Sequence, residues 1–98
     1  METEDLIPLQ EIITHHKVEV TFIDSLHEYG LIKITTVKET RYVYKEQISE
    51  LEKMIRWHYD LDINLEGIEA ISHLLQRVNS LQEELNAMRN RLRVYEGE

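Results

Sequence analysis

The chain has 98 residues, no cysteine, 42% hydrophobic residues and a net charge of −8, from 11 Lys and Arg against 19 Asp and Glu with His neutral. Such a length and balance suit one small soluble domain, or a smaller core completed by a second subunit, and exclude global disorder. The lack of cysteine excludes a disulfide framework, a zinc knuckle and a thiol nucleophile, and no apolar run approaches a membrane span.

The N-terminus METEDLI has neither the basic nor the apolar region of a signal peptide, so a cytoplasmic protein with no membrane partner is expected. The next stretch, LIPLQEIITHH, predicts a short first helix with Pro8 in its first turn and Leu9, Ile12 and Ile13 on its apolar face. The pattern breaks at His16-Lys17. A turn here asks Lys17 to enter the left-handed region at a cost of about 1 kcal/mol.

A second helix follows in VEVTFIDSLHEYGLI, residues 18 to 32. Phe22, Ile23, Leu26 and Tyr29 share one face, while Thr21, Asp24, Ser25 and Glu28 follow the i, i+3, i+4, i+7 spacing of the opposite one. Gly30 supplies the C-terminal stop. Helix, turn, helix is the frame of a DNA reader, yet its outward face is acidic and hydroxylic.

From Leu31 to Tyr44 the period changes to two. LIKIT and RYVY predict two strands joined in a hairpin around VKET, without the usual Asn-Gly turn. Ile48, Leu51, Ile55 and His58 then mark a third helix, with Met54 and Trp57 widening its buried face. DLDINLEG is the clear internal break, where Asn64 is a good N-cap and Glu66 complements the helix dipole.

The last helix is predicted over about residues 65–94, roughly 45 Å long at 1.5 Å per residue. Along it Ile71, Leu74, Val78, Leu81, Leu85, Met88, Leu92 and Tyr95 recur in alternating steps of three and four. This heptad seam is the signature of a helix paired along its length. A body of about 65 residues is too small to cover the far end, so a homodimer through the seam is expected, the alternative being a helix folded back on its own domain. Glu84 and Arg89 would pair across the flanks of a parallel arrangement without fixing the direction. The chain thus divides into a body, 1–64, and a dimerising helix, 65–98.

Together these elements predict a mainly α fold with a small β-hairpin, a winged helix-turn-helix followed by a long helix. GLI at 30–32, RYVY at 41–44 and the helix after them resemble the MerR superfamily. LDINLEGIEAISHLLQRVNSLQEEL at 61–85 is similar to the chaperone-modulator branch, the CbpM-like proteins. MerR-like regulators carry arginines and tyrosines on the second helix, in a pattern like VSVRTLRYYERIGLL, and an arginine in the wing within GYRLY. Here Thr21 and Asp24 stand at the helix arginines, Ser25 at the first tyrosine and Tyr42 at the wing arginine, while Val18, Val20, Ile23, Gly30 and Leu31 keep the scaffold. An Asp facing a phosphate cannot donate a hydrogen bond and adds repulsion, so nucleic acid is not the expected partner.

The resemblance to the modulator branch implies a protein partner, the J-domain of a DnaJ-like co-chaperone, held away from its DnaK-type chaperone. A J-domain presents a basic helix, and an acidic competitor complements it. Thr21, Asp24, Ser25 and Glu28 are the candidate contacts, with Glu19 and Asp60 as neighbours. A solvated outer helix face needs no partner, and that reading stays open. So does a MerR-like transcriptional regulator with an altered DNA surface, for which Lys33, Lys38 and Arg41 are the cations near the wing.

The charge distribution favours a basic partner. Residues 1–70 carry 15 acidic and 7 basic groups, while residues 71–98 carry 4 of each, so the whole excess sits on the body. Nucleic-acid affinity comes largely from cations releasing counterions, so this acidic body starts at a disadvantage, although acidity that serves only solubility stays open as a reading.

Remaining constellations point to packing. His15 and His16 are adjacent, about 100° apart on a helix, and cannot easily chelate one ion, so no metal is expected. His58, between Trp57 and Tyr59, reads as a partly buried packing residue and not as a catalytic base. Trp57, Tyr59, Tyr42 and Tyr44 suit core and wing packing better than a small-molecule pocket. Asp60 and Asp62 lack the neighbouring acid, nucleophile or glycine loop that paired carboxylate chemistry requires. Neither an enzyme nor a cofactor is expected.

Overall fold

Five side chains lie at the sealed centre of the molecule: Ile23, Leu26, Val43, Leu51 and Ile68, each 1% exposed or less. The computed structural model describes residues 5–95 and Gly97. Its elements are strand β1 (Leu6–Pro8), helices α1 (Leu9–His16) and α2 (Val20–Glu28), strands β2 (Ile34–Val37) and β3 (Thr40–Tyr44), a 3-10 turn at Lys45–Gln47, helix α3 (Ile48–Tyr59) and helix α4 (Leu65–Tyr95). The central five come from α2, β3, α3 and the first turn of α4, so each of these four elements is anchored by at least one buried aliphatic residue. Burying one such side chain stabilises by about 1.5–3 kcal/mol.

The first two helices meet through a tight turn. Lys17 caps α1 at φ 57° and ψ 44°, in the left-handed region expected of it. The Val18 N–H reaches back to the Ile13 carbonyl at 3.2 Å, and Val18 is buried, which holds the turn against the core. At the end of α2, Gly30 has φ 76°. Its N–H donates to the His27 carbonyl at 3.0 Å and that of Leu31 to the Leu26 carbonyl at 2.9 Å. This is a Schellman closure, and glycine adopts that φ without the strain that a side chain brings.

The sheet has three antiparallel strands in the order β1-β3-β2, one more than the hairpin predicted from sequence. Leu6 pairs with Tyr44 and Pro8 with Tyr42, so Pro8 ends an edge strand and caps α1 instead of lying in its first turn. Three residues are too few to show a period of two, and an edge strand tolerates proline because its N–H is dispensable there. In the hairpin Val37 pairs with Thr40, which leaves Lys38 and Glu39 as a two-residue turn. Both have positive φ, 50° and 67°, the type I′ conformation normally given to Asn-Gly.

Strand β2 begins at Ile34, three residues later than the alternation of LIKIT suggested. Lys33, just before it, finds a side-chain partner. The Gln47 amide accepts from the Lys33 N–H at 2.7 Å and donates to the Lys33 carbonyl at 2.9 Å, as a neighbouring strand would.

Asn64 caps α4 as its position predicts, its Oδ1 accepting from the Gly67 N–H at 2.8 Å. Ile63 joins the core just before the cap and Ile68 just after it, the arrangement that fixes a helix's entry angle. Beyond its first turns the helix leaves the body. From His73 to Tyr95 every residue is exposed, including Leu74, Val78, Leu81, Leu85, Met88 and Leu92 of the seam, while Ile71 is half-buried. No helix among the described residues is long and apolar enough to cross a membrane.

Candidate interaction site

Period and packing decide which way each candidate residue points. On α2 the buried residues are Phe22, Ile23 and Leu26. Thr21 and Glu28 are exposed, and Asp24 and Ser25 are half-buried. Tyr29, the helix's C-cap, is half-buried. All four outward candidates therefore share one face of one helix.

The wing changes the charge of that face. Along β3, Val43 points into the core, and by the strand period Arg41 lies on the same side of the sheet, nearer the turn. There it meets α2: the Arg41 Nη1 donates to Asp24 Oδ1 at 2.8 Å, with both side chains almost half exposed. One of the three wing cations available to DNA is thus committed to the acid that stands where an arginine would be expected. A single exposed ion pair of this kind contributes about 0–1 kcal/mol.

Uncompensated acid gathers one turn further on. Tyr29 Oη donates to Glu66 Oε2 at 3.1 Å, tying the end of α2 to the first turn of α4. The hydrogen bond to Glu66 and the Glu66 charge raise the tyrosine's pKa above its ordinary value near 10, aided by slight desolvation and by the charges of Glu69 and Glu28. The ion pairs among the described residues are His16–Glu52, Arg41–Asp24 and Lys53–Glu50, so none involves Glu28, Glu66 or Glu69. Sequence reasoning placed Glu28 on this face but read Glu66 only as a dipole partner and did not single out Glu69. Their nearness to Tyr29 depends on how α4 docks.

Glu19 and Asp60, the expected neighbours, lie where α2 begins and α3 ends. The Glu19 N–H donates to Tyr59 Oη at 3.1 Å, and Tyr59 packs edge-on to Phe22. His58 stacks on Phe22 with ring centroids 4.4 Å apart. Its Nδ1 lies 2.9 Å from the Ile63 carbonyl, which only accepts, so that nitrogen carries the proton. The ring thus packs the core and fixes the loop into α4.

The other candidates are dispersed. Tyr42 and Tyr44 lie on β3, Trp57 packs against the core, and Tyr59 lines a surface groove with Lys17 and Arg56. His15 and His16 meet edge to face, and His16 Nε2 lies 3.6 Å from Glu52 Oε2. Among the described residues no cluster of three or more His, Cys, Asp or Glu is placed to hold a metal ion.

A turn-linked helix pair beside a β-wing, with a long helix leaving the body, defines a winged helix-turn-helix protein. The family described as "MerR HTH family regulatory protein" matches residues 7–90, and the chain belongs to it. No curated protein and no solved structure matches.

Proposed function

We infer that the protein is a non-enzymatic adaptor of the CbpM-like branch, which binds the J-domain of a DnaJ-like co-chaperone and inhibits its work with a DnaK-type chaperone. The observation that carries this reading is the second helix. Asp24 occupies the place of a DNA-reading arginine and pairs with the wing cation Arg41, so an acid stands where phosphate would need a cation and part of the wing's own positive charge is neutralised. Beside it, Glu28, Glu66 and Glu69 surround Tyr29. Thr21, Asp24, Ser25 and Glu28 are the proposed partner contacts, and complementary charge would steer a basic helix towards them.

The proposed assembly is a homodimer. Seven seam residues, Ile71, Leu74, Val78, Leu81, Leu85, Met88 and Leu92, form an apolar stripe that the body leaves mostly uncovered. Two copies then carry two acidic faces, one on each body.

Calorimetric titration of the full chain with the J-domain of the DnaJ-like protein from the same genome tests the adaptor reading. A complex at micromolar concentration, weakened by added salt and by Glu28→Lys, is the expected result. Absence of heat and of a complex overturns the reading. Tight operator binding in a low-salt gel shift would support a transcriptional regulator instead.

A further inference from the structure

Beside the Asp24–Arg41 pair lies an open groove of about 480 Å³, between α1, the start of α2 and the β2–β3 turn. Leu9, Ile13 and Val20 give it an aliphatic floor, and Gln10, Glu39 and Arg41 stand at its rim. Val20, expected from the sequence to keep the scaffold, is instead 39% exposed, because it opens α2 outside the face sealed by Phe22, Ile23 and Leu26. It precedes Asp24 by four residues, so an exposed apolar spot and an acid share one face of the helix.

We propose that this groove is the seat of a basic partner helix, whose apolar side chain covers Val20 and Ile13 while its lysine or arginine takes Asp24 from Arg41. The proposal rests on the adaptor reading and adds the anchor and the exchange. Charge complementarity selects the occupant: the first 70 residues hold the whole excess of −8, and the rim's own cation is already paired. Arg41 is an intramolecular stand-in for the incoming cation. Exchanging one exposed ion pair for another is close to neutral, so the net gain comes from the apolar surface covered. A helix with an apolar residue and a cation four apart matches the Val20–Asp24 spacing. A small metabolite fits less well. The groove is open, and among the described residues no buried side-chain polar atom lacks a partner, so none is left waiting to orient a small ligand.

Titration of the 98-residue chain with the same J-domain, comparing wild type, Val20→Asp and Arg41→Ala, tests this. Val20 is the first residue of α2, where an acid is favourable and the side chain is not sealed, so the fold should hold in V20D. V20D should bind at least tenfold more weakly with an unchanged unfolding midpoint. R41A, which frees Asp24, should bind several-fold more tightly. Unchanged affinity in V20D, or unchanged or weaker affinity in R41A, overturns the seat while leaving the adaptor reading intact. A wild-type chain that binds no J-domain overturns both.

Discussion

Arg41 and Asp24 stand 2.8 Å apart, joining the wing to the outward face of the second helix. The pair is exposed, so its worth to the fold is small. A double-mutant cycle with Asp24→Ala and Arg41→Ala, measured by urea unfolding, should give a coupling of at most about 1 kcal/mol that shrinks in high salt. A much larger coupling would mean that the wing is held in place chiefly by this contact.

The turn at Lys38–Glu39 spends stability on two left-handed side-chain-bearing residues. Replacing both by Asn-Gly should raise stability by about 1 kcal/mol or more. An unfolding midpoint that stays or falls would show that the lysine and glutamate side chains compensate for their backbone strain.

Helix propensity alone says that Gly67→Ala should stabilise α4 by about 1 kcal/mol. The packing says the opposite. A Cβ at Gly67 would lie 2.7 Å from Ile63 Cγ2 and 3.1 Å from Asn64 Oδ1. Ile63 Cγ2 is attached directly at the branch point of a side chain held in the core. Thermal unfolding should therefore show a loss, and Gly67→Ala combined with Asn64→Ala should cost less than the two separately, since both damage the same cap.

Tyr29 supplies a pH dependence with a definite sign. Its hydroxyl donates to Glu66, and its pKa in the folded state lies above the ordinary value near 10. Between those two values the folded chain holds a proton that the unfolded chain has lost. The stabilisation is complete below about pH 10 and is lost as pH rises through the folded value. Tyr29→Phe should lack this decline in unfolding scans from pH 9 upward. If its decline matches that of the wild type, the loss lies in other groups.

Leu81 sits midway along the exposed seam, 53% exposed in the single chain. Leu81→Glu should convert a sedimenting dimer to a monomer while the Trp57 environment, reported by near-ultraviolet circular dichroism, stays as it was. A wild-type chain that sediments as a monomer at tens of micromolar would refute pairing through this helix.

Much of this fold was legible because it is written in periods. The 3.6 spacing set α2 and α3, the change to two marked the hairpin, and Asn64 announced α4. What escaped was set by contacts distant in sequence. Strand β1 exists only because β3 is there to receive Leu6–Pro8. Gln47 looks like an ordinary polar residue until it is seen clamping Lys33. In the candidate site, the outward direction of Thr21, Asp24, Ser25 and Glu28 followed from helical spacing. That Arg41 reaches Asp24, and that Glu66 and Glu69 approach Tyr29, follows from how the wing and α4 settle against α2.

The exposed length of α4 has a consequence for how this protein is handled by a cell. The stretch from His73 to Tyr95, with no side chain buried, draws little order from the body, and most of the stability of a protein helix comes from tertiary packing. Its persistence is therefore linked to whatever covers it. Each tenfold rise in free covering partner beyond its dissociation constant adds about 1.4 kcal/mol to that order. Where the covering partner is a second copy, as proposed, dilution acts on this helix as heat does: its far end would fray and open to proteases when copies are scarce and be sheltered when they are plentiful.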